Sequence, residues 1–302
     1  MLIRIAPTPA GLSTNAWHYF ALFAAVIAAL IAEPLPGAAV GLIGVAIATI
    51  SMFDEALGLR RTDSMEVTGM SELKVAYDDL NRTAFALAYG VPIHGAHSST
   101  IGGFSGNPEG AAIAAVAGSL QLIAVQKSAS FRCGVTDSRI KSRVSRAQLW
   151  AAGTAIQGLS RNANLIIDGS IGDHPAAGPG TRQYLYEAAA GFIVSTVMGA
   201  HSTGGTRKFV VGNVPNYGTP LESRWMGEVC KGSVGMSRAQ TEPLIKYLLD
   251  KYEDRLKDAP AGETFEKLYD QKTLEPIPSY QKLYDEVKQE LAERGLRCRE
   301  EE

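Results

Sequence analysis

The chain has 302 residues, 20% of them charged, and a formal net charge of −2. That length suits one large domain or two ordinary ones, and the charge balance leaves no basic field to hold nucleic acid. The three cysteines, Cys133, Cys230 and Cys298, are far apart and form no C-x-x-C pair or zinc spacing; they point to a reducing compartment and to packing rather than chemistry.

Residues 15–53 hold two apolar runs, NAWHYFALFAAVIAALIA and AAVGLIGVAIATISMF, separated by EPLPG. Each is slightly shorter than the ~20 residues that cross a bilayer untilted. Trp17, His18 and Tyr19 stand where an interfacial anchor would. Arg4 precedes the runs and Arg60-Arg61 follow them, so a hairpin with both ends cytoplasmic satisfies the positive-inside rule. The expectation is a membrane-anchoring helical hairpin on a cytoplasmic protein. A buried Ala/Gly-rich helix pair is the alternative. Residues 54–70 read as a junction and residues 71–302 as the soluble part.

From Ser71 onward, helix and strand signals alternate. Leu73, Val75, Ala76, Leu80, Ala84 and Leu87 recur at helical spacing, closed by Gly90. Pro92-Ile93-His94 reads as a short strand running into a loop. Asn107-Pro108-Glu109 opens a second helix with a side-chain cap, a first-turn proline and a carboxylate near the positive dipole end. It continues through AAIAAVAGSLQLIAVQ. A strand is expected at Phe131–Cys133, a helix at Ser145–Leu159 and the clearest strand at Asn164–Asp168. The loop GSIGDHPAAGPGT follows, then a helix from Arg182 to Ala200, a strand at Lys208–Val211 and a helix at Leu221–Val234. From Ser237 come charged amphipathic helices, the last one after Pro278, whose polar faces suit solvent or an oligomer contact. Strict alternation implies a parallel sheet with crossovers. Eight units close a barrel, and four or five are visible here. The expected fold is therefore α/β, a partial TIM-type (β/α) barrel preceded by a hydrophobic hairpin.

In such folds ligands sit at the carboxyl ends of strands, where His94, His97, Arg132, Asp137, Asp168, Asp173 and His174 fall. His94-x-x-His97 is a metal-ligand candidate without a third partner at a recognisable spacing. Asp168 either holds a ligand or caps the next loop. Asp173 can fix the tautomer of His174 for acid–base work, or cap its own loop. GGFSGN (Gly102–Asn107), ahead of a helix start, is a candidate anion cradle without the G-x-G-x-x-G order. Arg224 and Glu228 read as a surface i,i+4 ion pair.

Two resemblances add to this. PTPAGLSTNAWHYFALF (Pro7–Phe23) and EPLPGAAVGLIGV (Glu33–Val45) resemble the amino terminus of the divalent-anion:sodium symporters, the dicarboxylate and citrate carriers. That family's substrate and sodium sites lie in later helices, which nothing after Phe53 supplies. The rest resembles the carboxyl-terminal half of monomethylamine methyltransferase. The similar segments are TDSMEVTGMSELK (Thr62–Lys74), GGFSG (Gly102–Gly106), SAS (Ser128–Ser130), PAAGP (Pro175–Pro179), LESRWMGEV (Leu221–Val229), APAGETFEKLYDQKTLEP (Ala259–Pro276) and ERGL (Glu293–Leu296).

This second resemblance implies a barrel, usually in a homo-oligomer, that moves a methyl group from monomethylamine to the cobalt of a partner corrinoid protein in methanogenesis. The chain itself would bind no cofactor. The family is known for pyrrolysine, which captures the amine; the residue is absent here, its position falling upstream of Thr62. Glu66, in DSMEV, matches a family active-site glutamate and is the expected catalytic residue. A second family glutamate falls on or beside Ala96, and a family glutamine near Gly172. His94, His97, Asp168, Asp173 and His174 are the expected substrate-binding lining. The overall expectation is a carrier opening joined to an incomplete methyltransferase. Half a barrel leaves strand edges unpaired, so turnover is not expected of it. The alternatives are a membrane-tethered, non-catalytic remnant and a symporter fragment.

Overall fold

The computed structural model describes Trp17 and residues 63–69, 73–140, 142–208 and 218–297. The expected hairpin over 15–53, Trp17 apart, lies outside the described residues, as do positions 209–211 of the strand expected at Lys208–Val211. The chain divides at Ser64, and nearly all of the described structure belongs to the unit Ser64–Glu302.

Four strands form one all-parallel sheet in sequential order: β1 (Met65–Thr68), β2 (Ile93–Ile101), β3 (Ser130–Asp137) and β4 (Ile166–Ser170). Helices α1 (Tyr77–Ala88), α2 (Pro108–Gln126) and α3 (Arg146–Asn162) connect them, and α4 (Arg182–Val197) follows β4. This is the βα repeat of a TIM-type barrel, running over four strands. β1 falls inside the expected junction, so the α/β unit begins upstream of residue 71.

The caps act as the sequence indicates. Asn107 Oδ1 accepts from Gly110 N at 2.8 Å, with Pro108 at the first turn of α2, and Ser145 caps α3 by accepting from Gln148 N. The turn before α2 is closed on itself by Gly102 N–H donating to Gly106 O at 2.7 Å. Gly102 and Gly106 have φ of +82° and +70°, where glycine is the residue of choice.

Because successive side chains in a strand alternate sides, the sheet has two unlike faces. Val67, Ile93, Phe131, Cys133, Val135 and Ile167 are buried on the face covered by helices. The other face carries Glu66, His94, Ser98, Ser130, Arg132, Thr136, Asp168 and Ser170. A small cluster, Val67, Ala86, Val91 and Ile93, sits under α1, and the main core runs from β2 to the carboxyl-terminal helices. There α5 (Pro220–Ser233), α6 (Arg238–Tyr252) and α8 (Pro278–Glu293) pack on α4, with the single-turn α7 (Phe265–Leu268) between α6 and α8. Trp225 is fully buried, donates from Nε1 to Leu185 O at 2.9 Å, and meets Tyr284 edge-on at 5.4 Å. Glu228 pairs with Arg224 at 2.8 Å as the spacing suggests, but it is buried and also meets Lys288 at 3.1 Å, so the pair is not a simple surface one.

After α4 the chain returns to the outer edge of β4. Ser202 makes a parallel bridge to Asp168, and Gly169 N–H donates to Ser202 O at 2.8 Å. In the described part of the segment that follows, Gly204 comes near Arg132 and Arg207 meets His174.

Candidate active site

Register places the polar groups of the open face. Glu66 stands beside His94, His94 beside Ser130, Ala96 beside Arg132, and Arg132 beside Asp168. Arg132 reaches both carboxylates: Nη1 lies 3.4 Å from Glu66 Oε2, and Nε lies 3.4 Å from Asp168 Oδ2. Strands are spaced ~4.8 Å apart, so only a long side chain on β3 can cross β2 to reach β1. It passes over Ala96, whose side chain is a single methyl. His94 Nε2 lies 3.6 Å from the same Asp168 Oδ2, and His94 Nδ1 is 2.8 Å from Ser130 Oγ. Asp168 is 6% exposed, and its Oδ1 has no hydrogen-bond partner among the described residues.

A second cluster forms at the carboxyl ends of β3 and β4. Arg143 Nη1 donates to Ser170 Oγ at 2.7 Å and to Asp173 Oδ2 at 3.2 Å, and its Nε donates to Thr136 Oγ1 at 3.1 Å. Ser170 Oγ also donates to Asp173 Oδ2, at 2.6 Å. His174 Nδ1 is 3.0 Å from Asp173 Oδ2, and Arg207 Nε donates to His174 Nε2 at 3.1 Å. Arg143 Nη1 also lies 3.3 Å from His174 Nδ1, so the ring stands between two arginines with Asp173 beside its Nδ1. Burial by itself would raise the Asp173 pKa. The Arg143 charge and the bonds from His174 and Ser170 outweigh it and hold the carboxyl well below the usual range.

Asp173 and His174 therefore converge although they are neighbours in sequence, because the turn after Gly172 (φ +83°) swings both toward Arg143. His97 does not join them. Three residues after His94 on one strand, it points to the opposite face, against α2, where a Cβ on Gly118 would come 2.4 Å from its ring. His94 and His97 cannot share a metal for the same reason, and the expected place of His97 in the lining is corrected. Asp137 is likewise outside the site. It is buried, held by Arg139 at 2.6 Å and by Ser145 at 3.1 Å. Sequence reading missed Arg143 and Arg207, which carry no spacing signal and meet their partners only through the fold. Cys133 is packing: burial pushes its thiol up to about 11.

Glu187, on α4, holds the loop that carries the second cluster. It is fully buried, accepting from Ala176 N at 2.5 Å, Ala177 N at 3.3 Å and Gln183 Nε2 at 2.8 Å. Burial pushes its pKa up to about 7, against the lowering effect of those donors. A raised folded-state pKa contributes stability that is full below the ordinary carboxylate range and is lost as pH rises through 7. Glu187→Gln removes this dependence, and Gln183 can turn its amide to pair with the new one. The variant is expected to gain on wild type by up to about 3 kcal/mol between pH 5 and pH 8, at ~1.4 kcal/mol per pKa unit. Thermal melts at the two pH values check it.

The model of the monomethylamine methyltransferase MtmB family matches residues 34–296. The chain belongs to this family. The match reaches back past Thr62 and across the whole second apolar run to Pro34. Monomethylamine methyltransferase MtmB2 of Methanosarcina acetivorans is 31% identical over 243 residues, which are 80% of this chain and 52% of that protein. The crystal structure of Methanosarcina barkeri MtmB is similar with a TM-score of 0.76 and 29% identity, over 82% of this chain and 54% of that one; a hydroxylamine complex of MtmB matches equally. The parallel sheet thus resembles that of MtmB, of TIM-barrel type. The chain spans about half the length of the MtmB relatives it matches.

Proposed function

We propose that the open face of the sheet is the amine-binding wall of a methyltransferase that moves a methyl group from monomethylamine to a corrinoid protein. The observation that carries this reading is Asp168 Oδ1, a buried carboxylate oxygen without a donor among the described residues. Such an atom costs about 1–3 kcal/mol until something donates to it, and methylamine, protonated at neutral pH, brings N–H donors and a positive charge together. Family membership supports the reaction class, and hydroxylamine, the ligand of one MtmB structure, is likewise a small N–H donor.

The corrinoid, carried by the partner protein, supplies the nucleophile that accepts the methyl group. This chain's residues act on the nitrogen. Asp168 Oδ1 accepts an N–H and fixes the C–N axis, which is the positioning that an in-line displacement needs. Glu66, half-exposed beside Arg132, accepts a second N–H and keeps the nitrogen protonated, so that the nitrogen takes the electron pair of the breaking C–N bond and leaves as neutral ammonia while the nucleophile's pair forms the new bond to the methyl carbon. The Asp173–His174–Arg143 cluster holds the next loop in place beside them.

Titration with methylammonium chloride, followed by calorimetry, tests the wall directly. Asp168→Asn and Glu66→Gln are each expected to weaken binding about 10-fold or more, the worth of one charge-assisted hydrogen bond. Methylammonium affinity unchanged in both variants would sink the reading.

A further inference from the structure

We infer that Arg132 is a positioning residue, one that sets which oxygen of Asp168 meets the amine and so gives the site its preference for N–H donors. The inference rests on the amine-wall reading above and goes beyond it.

Three observations converge. Arg132 Nε and His94 Nε2 both lie on Asp168 Oδ2, at 3.4 and 3.6 Å, so that oxygen is taken while Oδ1 is left unpartnered. The same guanidinium holds Glu66 through Nη1, so its two contacts fix two carboxylates borne by strands at opposite edges of the sheet. The returning segment passes close by the guanidinium: a Cβ on Gly204 would stand 3.3 Å from Nη2, so the bare glycine leaves Arg132 room to reach both carboxylates. Two carboxylates and one guanidinium leave the trio with one negative charge, matched to one ammonium.

A residue that merely supplies charge and a residue that orients an acceptor differ in what their loss does. Removing Arg132 leaves the trio more negative, so attraction for any monocation persists or grows. What disappears is the fixed direction of Oδ1. Preference for methylammonium over tetramethylammonium, which has the charge but no N–H, is therefore the quantity to measure, as the ratio of the two dissociation constants.

In wild type the ratio is expected to favour methylammonium at least 10-fold. In Arg132→Gln it is expected to fall at least fivefold, whichever way the separate affinities move. Arg132→Lys keeps the charge without the fork and is expected to lie between them; it also serves if the glutamine variant melts early. Local unfolding would weaken both ligands alike and leave the ratio unchanged, as would a purely Coulombic role, so an unchanged ratio in folded Arg132 variants overturns the inference alone. A wild type without the preference overturns the inference and the amine-wall reading together.

Discussion

Arg143→Ala is expected to cost about 3 kcal/mol of stability at neutral pH, read as a lower urea midpoint at unchanged slope. The reason is the charge it leaves behind. Asp173 is 2% exposed, and taking one partner from a buried ion pair costs about 3–5 kcal/mol because the other charge is stranded. Ser170 and His174 still donate to Asp173, which puts the expectation at the lower end. The loss has a pH signature. In wild type the Asp173 carboxyl is held well below the usual range, so its contribution is present above that range and fades as pH falls toward the depressed value. In the variant the carboxyl accepts a proton sooner. The gap between the two proteins should be full at pH 7 and should close on acidification. A gap independent of pH would mean that Arg143 acts through packing alone.

Gly191→Ala should be the most damaging single-methyl change on α4. A Cβ there would lie 2.2 Å from both N and Cα of Gly172 and 2.8 Å from the carbonyl carbon of Ile171. These are backbone atoms of the turn that follows β4, with no rotamer to yield. Overpacking costs about 1–3 kcal/mol where side chains can shift; here about 3 kcal/mol or more, or failure to fold, is expected. Gly158→Ala is the control. It lies inside α3 with nothing within 4 Å of the added atom, so the gain in helix propensity should stabilise by about 0.5–1 kcal/mol. Urea melts of the two variants should move in opposite directions.

The helices were largely legible in the sequence because their signals are local. Asn107 and Ser145 sit where their caps operate, and Gly90 follows α1 with φ +68°. β4 was visible within two residues of its true span. The other strands were legible only in part: β2 shows over Pro92–His94 and β3 over Phe131–Cys133, a fraction of each true span, and β1 not at all. In β2, IHGAHSSTI, the helix-covered side is Ile, Gly, His, Ser and Ile, so apolar alternation fades after Ile93 and the strand resembles a loop. β1 was hidden for a similar reason, since four residues with one buried valine give no periodicity. That missing alternation is also why His97 was grouped with His94: on a strand an offset of three means opposite faces. Hydropathy by itself misleads in the other direction. α2 is long and apolar enough to cross a membrane, yet it lies against β2 and β3. The arginines that organise the site could not be placed at all, because Arg143 meets Ser170 and Asp173 across about thirty residues of chain. Glu66 could be singled out, but only through the family likeness, and its strand emerged with the fold.

The contact of Gly191 with Gly172 couples two things that many enzymes keep apart. α4 is the helix on which the carboxyl-terminal helices rest, and it touches the bare backbone directly ahead of Asp173. There is no compliant layer of side chains between scaffold and site to absorb a displacement. The turn is therefore expected to open together with the core rather than ahead of it, and its amides should show hydrogen-exchange protection close to that of α4.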